Sequence, residues 1–167
     1  GASGTLTGER TGNLSVGPAG VNDYSAGANT AMSLSVPSVL KLAPTPTTYT
    51  IGDVITYTIV VTLPEGVSQN VSVLDALPAG LTLVSASVLT SGPPLAAPYA
   101  GTAVATTSGN VIFAFGNITT TADNDATNNA LLAQVVARVA NAPANVNGAV
   151  LTNTARLTYT HAVSGST

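Results

Sequence analysis

The chain has no cysteine and no tryptophan, and only one methionine and one histidine. Without cysteine there is no disulfide framework and no thiolate metal site. His161 stands alone, so neither a Cys–His nor a two-His metal site exists, and no GxSxG stretch marks a serine hydrolase. Charge is just as scarce. Only 7% of residues are charged, and four Lys and Arg stand against seven Asp and Glu. Arg10, Lys41, Arg138 and Arg156 cannot neutralise a run of phosphates, which argues against nucleic acid as a partner. A cytosolic domain ordinarily carries about a quarter charged residues, so this composition leans towards an exported protein. No run of about eighteen apolar residues is present to cross a membrane as a helix. No basic-then-apolar leader opens the sequence, so the chain reads either as cytoplasmic or as a mature or excised piece of something exported, and the low charge favours the second.

What the sequence does have is Thr, Val, Ala, Leu and Ser, punctuated by 10 Pro and 16 Gly. Thr and Val favour strands, and Pro and Gly favour turns. The first 28 residues are rich in Gly, Ser, Thr and Asn and read as an extended arm. Residues 29–37 alternate Met32, Leu34 and Val36 with Ala31, Ser33 and Ser35, which predicts a half-buried strand ended by Pro37. Further strands are predicted at 38–43, 48–51, 54–63, 69–76, 81–90, 102–106, 110–115, 130–140 and 149–161. Turns fall at "GD" 52–53, "PEG" 64–66 and "LPAG" 77–80. Residues 130–140, "ALLAQVVARVA", also suit a helix by propensity, but their neighbours all read as strands. About ten strands with frequent turns predict an all-β fold, an antiparallel β-sandwich, with a closed barrel as the lesser alternative. The organisation expected is an arm with one strand over 1–36 and a sandwich domain over 37–167.

Four stretches carry a resemblance: "YTIGDVITYTIVVTLPEG", "VSVLDALPAGLTLVSASV", "FGNIT" with "DNDATNN", and "LTNTARLTYT". Together they resemble the conserved repeats of prokaryotic surface proteins, the isopeptide-forming fimbrial and adhesin type, over roughly residues 36–163. The resemblance implies Ig-like sandwiches strung head to tail in stalks and fibres at the cell surface. It also implies that "TGERTG" and "VNDYSA" normally lie between one repeat and the next. The chain then reads as one period of a repeat in a permuted frame. It is either cut from a covalent array or a subunit whose arm completes a neighbouring copy by strand addition.

Lys41, the only lysine, sits in the apolar strand "VLKL". An unpaired buried ammonium is costly, so it must neutralise or find a partner. Asp75, flanked by apolar residues, and Asn153, in the last predicted strand, are the candidates. In the self-crosslinking adhesin sandwiches that the chain resembles, a first-strand Lys bonds to a last-strand Asn with help from an Asp. That resemblance implies a crosslink between Lys41 and Asn153 with Asp75 as the assisting acid. A neutral Lys41 amine would attack the Asn153 amide carbon, a protonated Asp75 would polarise its carbonyl, and ammonia would leave. The competing reading is an ordinary Lys41–Asp75 ion pair, with Asp75 starting a turn and Asn153 satisfying backbone groups.

Other residues are open to two readings each. Asp123 and Asp125 in "ADNDATNN" offer oxygens to a hard cation such as calcium, though the loop lacks the glycine and glutamate of an EF-hand. The alternative is a polar turn. Asn13, Asn70 and Asn117 fit the N-glycosylation pattern, which chance also supplies in a Ser/Thr-rich chain. The five tyrosines are expected at the rim of the core. The function expected is a structural module of an extracellular fibre or adhesin stalk. Its partners are other copies of itself, and it is no enzyme beyond its own crosslink. The alternative is an adhesin domain that binds a glycan or host protein through loops 91–101 and 122–129.

Overall fold

The structure is a computed structural model, and it describes residues 27–89, 103–107 and 109–160. The chain divides into two units, Gly1–Leu34 and Ser35–Thr167. In the first, residues 27–34 form no strand, and Met32 and Leu34 are exposed. The strand expected over 29–37 is therefore absent. Alternation equips a segment to pair, but a strand exists only when a neighbour supplies the other half of its ladder.

The second unit holds eight strands: β1 (Ser38–Leu42), β2 (Val54–Thr62), β3 (Gly66–Ala76), β4 (Leu81–Leu89), β5 (Ala103–Thr107), β6 (Asn110–Thr120), β7 (Ala130–Val139) and β8 (Thr154–Thr160). They form two antiparallel four-stranded sheets, ordered β1-β2-β7-β4 and β5-β6-β3-β8. No α-helix occurs among the described residues, and none there is long and apolar enough to cross a membrane. The all-β sandwich expected from the sequence is what the chain forms. The ambiguous stretch at 130–140 is strand, because β7 lies between two partners that saturate its backbone.

Period-two alternation builds the core. On β2 the buried side chains are Ile55, Tyr57, Ile59 and Val61, and on β7 they are Leu131, Ala133, Val135, Ala137 and Val139. Facing them, β3 buries Val71 and Val73, and β6 buries Val111, Phe113, Phe115 and Ile118. Successive residues point to opposite faces of a sheet, so β2 and β7 commit their odd positions to the interior throughout, and β3 and β6 do so on one side of a bulge.

Several boundaries differ from those expected. Residues 48–51 are loop and turn, because the Asp53 carboxylate accepts from the Thr50 amide at 2.7 Å and pins a bend there. β3 starts at Gly66, inside the expected turn. β6 continues past residue 115, where the expected strand ends, through "GNIT" to Thr120. It does so by a bulge shared with β3. Gly116 (φ 75) and Asn70 (φ 51) both take left-handed backbone where the register shifts, and the Asn117 side-chain oxygen accepts from the Asn70 amide at 2.9 Å. One extra residue on each strand returns both to inward alternation, so Ser68 and Ile118 are buried beyond the bulge. The last strand begins at Thr154, not 149, so Asn153 precedes it.

Gly80 is required by its surroundings. Its φ is +112, and a Cβ there would lie 2.3 Å from the Asn145 Oδ1. Asn145 clamps the 140–150 loop by donating through Nδ2 to the Gly80 and Ala140 carbonyls, both at 2.8 Å. Gly80→Ala adds backbone strain and expels this clamp. It is expected to cost about 2–4 kcal/mol, from a strained φ and two lost hydrogen bonds. Urea unfolding would show this as a lower midpoint at unchanged slope.

Candidate functional site

Strand parity brings Lys41 and Asp75 together. Val39 and Lys41 occupy the inward positions of β1, while Ser38, Leu40 and Leu42 face out. On β3, Val71, Val73 and Asp75 share the inward face, so the carboxylate is built into the core. β1 belongs to one sheet and β3 to the other, and their inward faces meet across the sandwich. The Lys41 ammonium donates a short hydrogen bond to Asp75 Oδ2. Asp75 is wholly buried and the Lys41 side chain is 13% exposed.

Two further features set the chemistry. The Lys41 Nζ stands 4.7 Å from the centre of the Tyr57 ring, a cation–π distance. Burial holds the Lys41 ammonium below the usual lysine range, outweighing the opposing pull of the Asp75 carboxylate. The neutral amine is thereby brought closer to neutral pH, which a nucleophilic lysine requires. Burial also pushes the Tyr57 hydroxyl up, aided by the charge of Asp75. Tyr57 was expected at the rim. It is a core residue because β2 places it at the same inward parity as Ile55 and Ile59. Its contact with Lys41 follows from a register that pairs Lys41 with Ile59, one inward position along.

Asn153 lies just before β8, whose residue Ala155 pairs with Asp75. Both polar atoms of the Asn153 side chain are buried without a hydrogen-bond partner, and so is the second Asp75 oxygen, Oδ1. Each such group carries a desolvation cost with nothing to offset it. Lys41 and Asn153 line one cleft of about 850 Å³, floored by Ile55, Tyr57 and Val139 and walled by loops 42–51 and 145–153. The first and last strands, β1 and β8, approach each other on this side of the sandwich.

The remaining candidates fall elsewhere. Asp123 accepts from the Asp125 amide and the Asn128 side chain, and Asp125 accepts from the Thr127 amide and hydroxyl. Those Thr127 bonds hold the Asp125 carboxyl below its usual range. Both carboxylates shape the loop, and Asp125 caps the 3₁₀ turn Ala126–Asn128. Among the described residues no three acidic or histidine side chains gather as a metal site. Asn70 and Asn117 meet at the shared bulge, where Asn70 Nδ2 also donates to the Thr160 hydroxyl at 2.9 Å. Asn13, loop 91–101 and His161 lie outside the described residues.

The fold is one that pilin subunits use. The major pilin subunit of Bacillus cereus, BcpA (D312A variant), aligns with a TM-score of 0.52 at 18% identity, over 74% of this chain and 35% of that one. The chain thus spans about a third of that pilin's length. The pilus backbone protein RrgB of Streptococcus pneumoniae aligns more loosely, with a TM-score of 0.44 at 16% identity, over 75% of this chain and 31% of that one. At such identities the likeness is one of fold alone. No protein-family profile matches the chain, and no curated protein does.

Proposed function

We propose that the chain is a structural module of an extracellular, pilus-like fibre, whose copies join head to tail through the N-terminal arm. An internal amide between Lys41 and Asn153 staples each module. The observation that carries this reading is the buried trio: an ammonium on a wholly buried carboxylate, beside a carboxamide whose polar atoms have no partner. An amide side chain left with nothing to bond in a native core calls for an explanation, and a reaction partner supplies one.

The reaction balances without any cofactor. Asp75 takes the proton from Lys41, leaving a neutral amine and a carboxylic acid. The acid hydrogen-bonds the Asn153 Oδ1 and polarises the carbonyl. The Lys41 Nζ attacks Cγ, the bond from Cγ to Nδ2 breaks, and the nitrogen leaves as ammonia with protons relayed through Asp75. The product is a neutral amide, which suits a dry interior better than the ion pair it replaces. It joins β1 to the entry of β8, so force applied along the chain meets a covalent bond. The pilin-like fold supports the fibre reading, as does a composition poor in charge and without cysteine.

Intact-mass measurement of the folded chain tests the staple. The expected mass is one ammonia below the sequence mass, and Lys41→Ala restores the full value. A folded chain at full sequence mass would show that Lys41 and Asp75 are only an ion pair.

A further inference from the structure

We infer that the cleft between loops 42–51 and 145–153 is the seat for residues 28–37 of a second copy, added there as a strand. This rests on reading the chain as a self-joining module, and it names the two surfaces that meet.

The cleft has what an added strand needs. Among the described residues, the backbone of 44–49 and of 150–153 makes no hydrogen bond. Both walls therefore offer free amides and carbonyls, the requirement for augmenting a sheet at its edge. Ile51, Val146 and Val150 line the cleft and are 52%, 66% and 87% exposed. Nearby, the inward residues of the last strand, Ala155, Leu157 and Tyr159, pack on the core yet stay only half-buried. The sandwich is open on this side, and exposed apolar groups clustered with unpaired edges mark an interaction site.

The same chain carries a matching insert. Residues 28–37 read "ANTAMSLSVP", with no charge to desolvate. Met32, Leu34 and Val36 are 86%, 81% and 52% exposed, and no backbone bond ties down 28–37. Apolar side chains at every second position present one hydrophobic face, while Ala31, Ser33 and Ser35 suit the opposite, solvent face. Pro37 closes the pairing run. A second copy is the occupant of choice because the donor face and the open cleft occur once each per chain. Their union is therefore heterologous and runs head to tail. The inserted strand also covers the part of Lys41 that water still reaches.

Two full-chain variants test this by sedimentation velocity. Leu34→Asp puts a charge on the donor face, and Val150→Asp puts one in the cleft. Both sites are exposed, so neither variant threatens folding. The wild-type chain is expected to form concentration-dependent oligomers. Each variant alone should stay monomeric at concentrations at least ten times higher. An equimolar mixture should give 1:1 dimers and nothing larger, since only one donor and one cleft remain intact. Variants that assemble like wild type would overturn the cleft assignment while leaving self-joining in place. A wild-type chain that stays monomeric throughout would overturn both.

Discussion

Lys41→Met is expected to destabilise the module by at least about 3–5 kcal/mol, the cost of stranding one member of a buried charged pair. Asp75 would be left wholly buried with neither oxygen partnered, because Lys41 is its described donor. The double variant Lys41→Met with Asp75→Leu removes that stranded carboxylate and separates the two accounts of the pair. For a plain ion pair, a well-packed apolar replacement restores stability to near wild type. For a staple closing a loop of about a hundred residues, it leaves a deficit of about 4–5 kcal/mol that no repacking recovers. Urea midpoints of the three proteins decide between them, and the expected order is wild type well above the double variant, with the single variant lowest.

Phe113→Ala is expected to cost about 3–5 kcal/mol, a large share of the 5–15 kcal/mol that ordinarily holds a domain together. Phe113 is fully buried at the centre of β6. Its register places it between Val73 on β3 and Val104 on β5, and its ring stacks on Phe115 at 6.3 Å and 17°. Close-packed sheets cannot collapse into the space that a phenyl ring leaves, so the loss includes a cavity as well as transfer free energy. Val67→Thr, at an exposed position of the same sheet that is 62% accessible, serves as the control and should stay within about 0.5 kcal/mol. Thermal and urea unfolding should both place the two variants far apart.

The parts of this fold that the sequence displays are those governed by side-chain period. Ile55 to Val61 and Leu131 to Val139 alternate cleanly, and each becomes a central strand. Asp75 was legible for the same reason, since it continues the inward series of Val71 and Val73. Lys41 stood out because one ammonium in an apolar strand has few places to go. What escaped the sequence depends on pairs of distant residues. The strand runs on past residue 115 only because Gly116 and Asn70 bend together in one bulge, and neither residue alone announces the other. Tyr57 belongs to the site through the register of β1 on β2, which no local pattern specifies. Gly80 looked like any turn glycine, and its reason is the Asn145 side chain, 65 positions away. Residues 29–37 carry a strand's alternation without a strand, because pairing takes two segments and the alternation of one does not supply the other.

Placing the only lysine side chain inside the sandwich has a bearing on resistance to proteolysis. Proteases of the trypsin type cut after basic side chains and act on exposed or transiently opened chain. Among the described residues the basic side chains are Lys41, Arg138 and Arg156, and each lies within a β-ladder, on β1, β7 and β8. Cleavage at any of them requires the ladder to open first, so digestion follows the rare opened population and not the folded one. A surface without amines also gives acylating and aldehyde reagents no lysine to modify on the described body of the module. On the described residues, the side chains that such enzymes and reagents seek are withdrawn from them.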